Sequence, residues 1–202
     1  MGSQITTEDL EKIEAGIREK YIKVAKNPED QFKYPTGKKG LKVLQYDKSL
    51  IDKLPDAVAS TYCGVGNPFS LGKINTGEQV LDIGCGAGVD TILASMMTGP
   101  TGNVIGVDIV PEMLQQAEKN LMMTNQKNVN FKKTSGEKLP YSGDIFDVVI
   151  SNGVINLIPD KEAALTEIIR VLKPGGRLMM ADQVDSGNVQ KDIKDRLANW
   201  FQ

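Results

Sequence analysis

Histidine is absent from this 202-residue chain. That excludes Ser-His-Asp and Cys-His catalysis, histidine-ligated zinc and a histidine pH switch. Cysteine is scarce: Cys63 and Cys85 are the two present. Their spacing forms no CxxC, so neither a zinc knuckle nor a thioredoxin motif exists, and no metal is expected. Charge of one sign is not in excess. Lys plus Arg number 24, Asp plus Glu 26, and the net charge is −2. A partner held by phosphate neutralisation is therefore not expected, which argues against nucleic acid. No apolar run approaches the roughly 18 residues of a membrane span, so no membrane partner is expected either. Few cysteines and no secretory leader point to a cytoplasmic protein.

What remains is ordinary globular material, 40% apolar and 25% charged. Residues 7–26 predict an amphipathic helix, with Leu10, Ile13, Ile17, Tyr21 and Val24 spaced at three or four. Thr7 is its expected N-cap, and Asn27-Pro28 its stop. Residues 28–40 read as turn-rich, with solvated lysines. Residues 47–61 predict one or two short helices broken at Pro55, and residues 63–68 a loop. From residue 79 the pattern alternates. Strands are expected over 79–83, 103–109, 129–133, 146–151 and 177–181. Helices are expected over 89–97, 111–123 and 161–172, the last ended by Lys173-Pro174-Gly175-Gly176. Such alternation means βαβ units and a parallel sheet covered by helices on both faces. Residues 186–202 read as a further helix.

The strongest signal is Val80-Leu81-Asp82-Ile83-Gly84-Cys85-Gly86-Ala87-Gly88, a strand that enters a glycine-rich turn and then a helix. Glycines let a backbone approach a ligand closely, and the helix N-terminus offers unpaired N–H groups. The next strand ends in Gly106-Val107-Asp108. Asp108 lies 24 positions after Gly84, near the roughly 20-residue offset at which an acid reaches ribose hydroxyls. The bland alternative is a tight turn with an unrelated Asp, and the pair of acids Asp82 and Asp108 weighs against it. A dinucleotide fingerprint would need Gly or Ala at position 89, where Val89 stands; this argues against a NAD-dependent oxidoreductase.

At this point the chain resembles the class I S-adenosylmethionine-dependent methyltransferases, whose first motif is similar to Leu81–Gly88. The resemblance implies a cofactor-binding turn of Asp82, Gly84, Cys85, Gly86 and Gly88, with Asp82 and Gly84 near the methionine moiety. It implies that Asp108 holds the ribose diol and that Ile109 and Met113 pack on adenine. Thr134-Ser135-Gly136-Glu137-Lys138-Leu139-Pro140 is similar to a third motif, G-D-A-E-x-L-P. Ser135 stands where that motif has Asp, so the resemblance implies a weakened or moved contact to the adenine amino group, with the Gly136 N–H still reaching the ring and Glu137 among the cofactor-binding residues. Further on, the segment 151–161 resembles the S-N-C-V-x-N-L-x-P-D-K stretch of arsenite methyltransferases, which adds Asn152 to the cofactor side. Gly64–Pro68 resembles their G-C-G-N-P loop, and Ile17–Tyr21 their cofactor-closing helix. The resemblance covers residues 15–202. It implies an α/β, Rossmann-like, doubly wound parallel sheet in the order 3-2-1-4-5. Residues 182–202 leave no room for the C-terminal strand pair usual in such folds, so that pair is expected to be missing and 177–181 to be an open edge. Residues 1–70 are expected to form a helical cap and cofactor lid, and 71–202 the S-adenosylmethionine-binding domain.

The departures concern sulfur. Arsenite methyltransferases hold their soft metalloid with cysteine thiolates, and two of those cysteines fall here on Val65 and Gly153. Cys63, two residues away, is either a displaced thiol or a small buried hydrophobe. Cys85 reads as packing. No carboxylate pair fills a general-base role. The catalytic residue is therefore unknown, with Cys63, Tyr21 and Asn156 as candidates and Tyr62 as a pocket wall. The expected function is methyl transfer from S-adenosylmethionine to a small, soft acceptor, since a thiol, selenol or metalloid needs no base. The alternatives are arsenite methylation with an altered thiol set, a quinone-type carbon or oxygen methyltransferase, and a cofactor-binding domain without turnover. The expected partner is a small-molecule acceptor, and the expected state a monomer or a dimer through the edge strand.

Overall fold

The centre of the molecule is β1 (Gln79–Ile83), whose side chains alternate between two apolar layers. Leu81 and Ile83 pack with Val107, Val149, Ala164 and Ile168 on one face. Val80 packs with Ala94, Val104, Val148 and Ile150 on the other. Burial on both faces explains why β1 and β4 (Phe146–Asn152) read as near-continuous apolar runs. β1 pairs in parallel with β2 (Asn103–Asp108) on one side and with β4 on the other. β3 (Val129–Lys133) extends the sheet past β2, and β5 (Leu172–Ala181) past β4. The computed structural model describes residues 6–184. Within them the sheet has five parallel strands in the order β3-β2-β1-β4-β5. The helix expected over 186–202 lies outside the described residues.

The crossover helices are α5 (Val89–Thr98), α6 (Pro111–Met122) and α7 (Lys161–Val171). α7 covers the Leu81 face through Ala164, Ile168 and Val171. Proline at the first turn of α6 suits a position whose N–H would have no helical partner. Ahead of the sheet come α1 (Thr7–Lys26), α2 (Gly37–Val43), α3 (Lys48–Ile51) and α4 (Asp56–Ala59). The last two flank Pro55, as the sequence predicts. No described helix is long and apolar enough to cross a membrane.

Three local expectations need correction. α1 is capped by Thr6, not Thr7. The Thr6 hydroxyl accepts from the Asp9 amide at 3.2 Å, and the Thr6 amide donates to Asp9 Oδ2 at 3.0 Å. A capping box needs the acid three residues after the cap, and Asp9 has that spacing from Thr6. Second, the stretch 28–40 is not turn throughout, because α2 starts at Gly37. Its Leu41 is fully buried with Tyr46, Val58 and Tyr62, and that burial outweighs the poor helix propensity of two glycines. Third, β5 starts at Leu172 instead of residue 177. Leu172 already pairs with Phe146, after which the register shifts and Arg177 pairs with Val148. Lys173–Gly176 bulge outward between these two pairs, and Lys173 Nζ donates to Asp147 Oδ1 at 2.7 Å. Proline has no ladder donor, so an edge-strand bulge can hold it.

Candidate functional site

The sheet order reverses beside β1, so the crevice past the carboxyl ends of β1 and β4 is a topological switch point. The glycine turn leaves β1 there. Gly84 and Cys85 both donate to the Val107 carbonyl, at 2.8 and 2.9 Å, which ties the turn to β2. Gly84 has a left-handed φ of 68°, and any Cβ there would run into Val154. Gly88, with φ 78°, lies against Phe131 and Ala117 and does not face the crevice. It serves the packing of helix on sheet.

The crevice is a cavity of about 320 Å³, within the size range of small-molecule sites. Of the residues expected at a cofactor, Asp82, Gly84, Cys85, Gly86, Asp108, Ile109, Met113, Ser135, Gly136, Glu137 and Asn152 all line it. Gly88 stands outside the lining. Of the catalytic candidates, Cys63 and Tyr21 line the cavity and Asn156 does not. Its backbone N–H donates to Asp182 Oδ2 at 3.1 Å. Helix α1 roofs the space. Its Ile13, Ile17 and Val24 pack on Ala87, Val110 and Met113, and Ile17 and Tyr21 face the cavity.

Three carboxyls surround the turn, Asp82 and Asp90 buried and Asp108 half-buried. Asp108, at the end of β2, accepts from the Gly86 amide at 2.9 Å and from the Val110 amide at 2.8 Å, one on each oxygen. Burial pushes its carboxyl up against the pull of those amides. Asp82 is 2% exposed and accepts from the Thr91 hydroxyl at 2.5 Å. Burial, helped by the neighbouring Asp90 charge, raises it well above the usual carboxylate range. Asp90, in the first turn of α5, accepts from the Tyr46 hydroxyl and from Asn152 Nδ2, each at 2.9 Å. Burial raises it to about 6, and the two hydrogen bonds oppose the rise. Under β3's end, the Ser135 hydroxyl donates to Glu137 Oε2 at 2.9 Å and accepts from the Glu137 amide at 3.1 Å.

The reactive candidates are held neutral. Burial pushes the Cys63 thiol up to about 12, with the Asp108 and Asp90 charges adding to it. The Tyr21 hydroxyl is raised well above its ordinary value, again chiefly by burial. Neither is a thiolate or phenolate at neutral pH. Val65 and Gly153, where arsenite methyltransferases have cysteines, are neighbours. A Cβ placed on Gly153 would lie 3.7 Å from Val65 Cβ. Gly153 has φ 73°, so a side chain there would be strained. Asp90, Tyr34 and Lys133 also line the cavity and were not singled out from sequence. For Asp90 the signal was an acid just past the glycine turn, where first-turn acids are also common for helix-dipole reasons alone.

A parallel 3-2-1-4-5 sheet, a glycine turn after β1 and an acid ending β2 define a class I S-adenosylmethionine-dependent methyltransferase domain. The family model for this "Methyltransferase domain" matches residues 74–202, and the chain belongs to that family. It is 39% identical over 155 residues to an arsenite methyltransferase of Halobacterium salinarum, covering 77% of this chain and 39% of that protein. It is 35% identical over 152 residues to a demethylmenaquinone methyltransferase of Lactobacillus johnsonii, covering 64% of this chain and 62% of that one. Among solved structures, an arsenic(III) S-adenosylmethionine methyltransferase from Chlamydomonas reinhardtii aligns with a TM-score of 0.56 at 31% identity, over 74% of this chain and 50% of that one. The chain spans about half the length, or less, of the arsenite methyltransferases it matches. Membership implies S-adenosylmethionine as the cofactor.

Proposed function

We infer that this domain transfers a methyl group from S-adenosylmethionine to a small acceptor that is already nucleophilic when it binds. The observation that carries the reading is Asp108. Its carboxylate is fixed by the Gly86 and Val110 amides while it lines the cavity. Each oxygen keeps a lone pair for a hydroxyl, so the group fits a ribose diol. Gly84 and Gly86 leave space along the turn, Ile109 and Met113 offer apolar contact for adenine, and Asp82 stands at the end of β1 beside the turn. Ser135, Gly136 and Glu137 complete the cofactor side, while Asn152 lines the cavity with its side-chain amide engaged by the 64–66 loop and Asp90. The described part of the 1–70 segment, from Thr6 on, acts as the cap, with α1 excluding water from above.

When bound, the cofactor supplies an electrophilic methyl on a sulfonium, so the chain need not generate an electrophile. Its own residues orient, desolvate and bring reactants together, effects worth up to roughly 7–11 kcal/mol in well-aligned cases. Cys63 and Tyr21 are protonated and cannot remove an acceptor proton, and both oxygens of the cavity-lining Asp90 are engaged by Tyr46 and Asn152, which favours an acceptor needing no base. Thermal unfolding tests the reading. S-adenosylmethionine at about 100 times its Kd should stabilise the protein by about 2.7 kcal/mol and NAD by nothing. Stabilisation by NAD alone would overturn it.

Arsenite methylation is the second reading, and the adjacency of positions 65 and 153 favours testing it. As it stands the loop has valine facing glycine and no thiol pair, so trivalent arsenic should bind weakly. The double variant Val65→Cys/Gly153→Cys should raise arsenite affinity at least tenfold in a competition assay with a fluorescent dithiol-binding arsenical. Tight binding by the unaltered chain that is lost in Cys63→Ser would instead make Cys63 the displaced thiol.

A further inference from the structure

The loop Gly64–Gly66 borders the cavity, yet no described strand or helix contains it. Three side chains hold it: Asn152, Tyr46 and Tyr62. Asn152, the last residue of β4, accepts through Oδ1 from the Val65 amide at 2.9 Å and from the Gly66 amide at 3.0 Å. The two amides are obligatory donors, so the oxygen must face them and the Nδ2 group must face the other way. Four acceptors surround Nδ2: Gly66 O and Asp90 Oδ2 at 2.9 Å, and the Tyr46 and Tyr62 hydroxyls at 3.2 Å. Its two hydrogens serve the two shorter contacts. Asp90 reaches the loop through this bond and through the Tyr46 hydroxyl, which also lies 3.0 Å from the Gly66 carbonyl. Its second oxygen accepts from the Tyr46 hydroxyl, and Tyr62 donates to the Gly66 carbonyl at 2.8 Å. The backbone at Gly64 presses on the Asn152 amide so closely that a Cβ would overlap it.

We propose that Asp90 is a positioning residue: by accepting from Asn152 Nδ2 it fixes the orientation of that amide, and through it the Gly64–Gly66 loop, whose Gly64 lines the acceptor end of the cavity. A buried carboxylate is costly to keep in a helix's first turn, and none of the cofactor contacts proposed above uses it. Its position between Tyr46, Asn152 and the loop gives it this role. Only the phrase "acceptor end" rests on the methyltransferase reading; the latch is a property of the protein without ligand.

The test is amide hydrogen exchange on the full chain with no cofactor added. Asp90→Leu is close in size and offers no acceptor. Asp90→Asn keeps one oxygen for Asn152, and the Tyr46 hydroxyl can turn to accept from the new amide. In Asp90→Leu the Val65 and Gly66 amides should lose at least tenfold in protection while those of Ile92 and Leu93 in α5 stay within threefold of the unaltered protein. Asp90→Asn should restore Val65 and Gly66 to within threefold. If Asp90→Leu does not fold, Asp90→Ser, too short to reach Asn152, should show the same selective loss. Unchanged loop protection in Asp90→Leu or Asp90→Ser overturns the proposal. So does equal loss at Ile92 and Leu93, which would mean general loosening, or failure of Asp90→Asn to rescue. Failure of S-adenosylmethionine to bind would sink the functional reading and leave the exchange result standing.

Discussion

At the scale of the residue, the proposed function rests most on Asp108. It is half-buried, it ends β2, and two backbone amides hold it in place before any ligand arrives. Pre-set acceptors of this kind lose little freedom on binding. Asp108→Ala should therefore weaken S-adenosylmethionine binding by about 1.5–3 kcal/mol, the range for hydrogen bonds to a charged group. Titration calorimetry on the variant reads this directly, and unchanged affinity would remove Asp108 from the site. The sequence showed this residue because a fixed offset from a glycine turn is a local property. It could not show that Cys63 is a protonated thiol, since that depends on burial and on the charges of Asp108 and Asp90 from two other elements.

Among the elements, α1 carries the clearest consequence. It buries only Ile13, Ile17 and Val24, a narrow stripe for a 20-residue helix, so its ends depend on local devices. The Thr6–Asp9 capping box satisfies two otherwise orphaned donors at its start. Thr6→Ala should cost about 1 kcal/mol and lower the melting temperature by about 2–4 °C for a chain of this length. Exchange of the first-turn amides should rise with it. A melting temperature that does not move would mean that the start of α1 unfolds independently of the rest. The same scale explains the errors of reading. A cap one residue off follows from two adjacent threonines, of which only Thr6 has an acid three positions on. Helix α2 was hidden because its glycines argue for turns, and only contact with Tyr46, Val58 and Tyr62 overrides them.

At the scale of the whole molecule, Arg177 of β5 reaches back to the entry of β1. It donates to both Glu78 oxygens, at 2.9 and 2.7 Å, and to the Lys73 carbonyl. Chain segments about a hundred residues apart are clipped together in this way. The Arg177 guanidinium holds the Glu78 carboxyl down to about 2. A carboxyl depressed on folding contributes stability that is present above its unfolded value near 4.5 and lost as pH falls through about 2. Glu78→Gln should therefore be less stable than the parent at pH 7, and the gap should shrink steadily between pH 4.5 and 2. Urea midpoints at pH 7, 5, 4 and 3 check this; a gap that stays constant across the series would show that the ion pair carries no net stability.

The sequence by itself determined the class of sheet, the places of its strands to within a few residues, the glycine turn and the acid that follows it. These are local facts: a two-face apolar strand, a helix period and a turn that only glycine permits are each written within about ten consecutive residues. The bounds of β5 were not legible, because a strand that starts before its proline is defined by the partner Phe146 and not by its own residues. Nor were the contact of Val65 with Gly153 or the gathering of Tyr46, Asp90 and Asn152 around one loop. Those residues come from α5, β4 and the connection between α2 and α3, and no period or spacing links them. Only the folded sheet brings the end of β4 beneath Gly64–Gly66 and the first turn of α5 beside it. The buried donors and acceptors then have one another as partners, because water is excluded and an unpaired polar group there would cost about 1–3 kcal/mol.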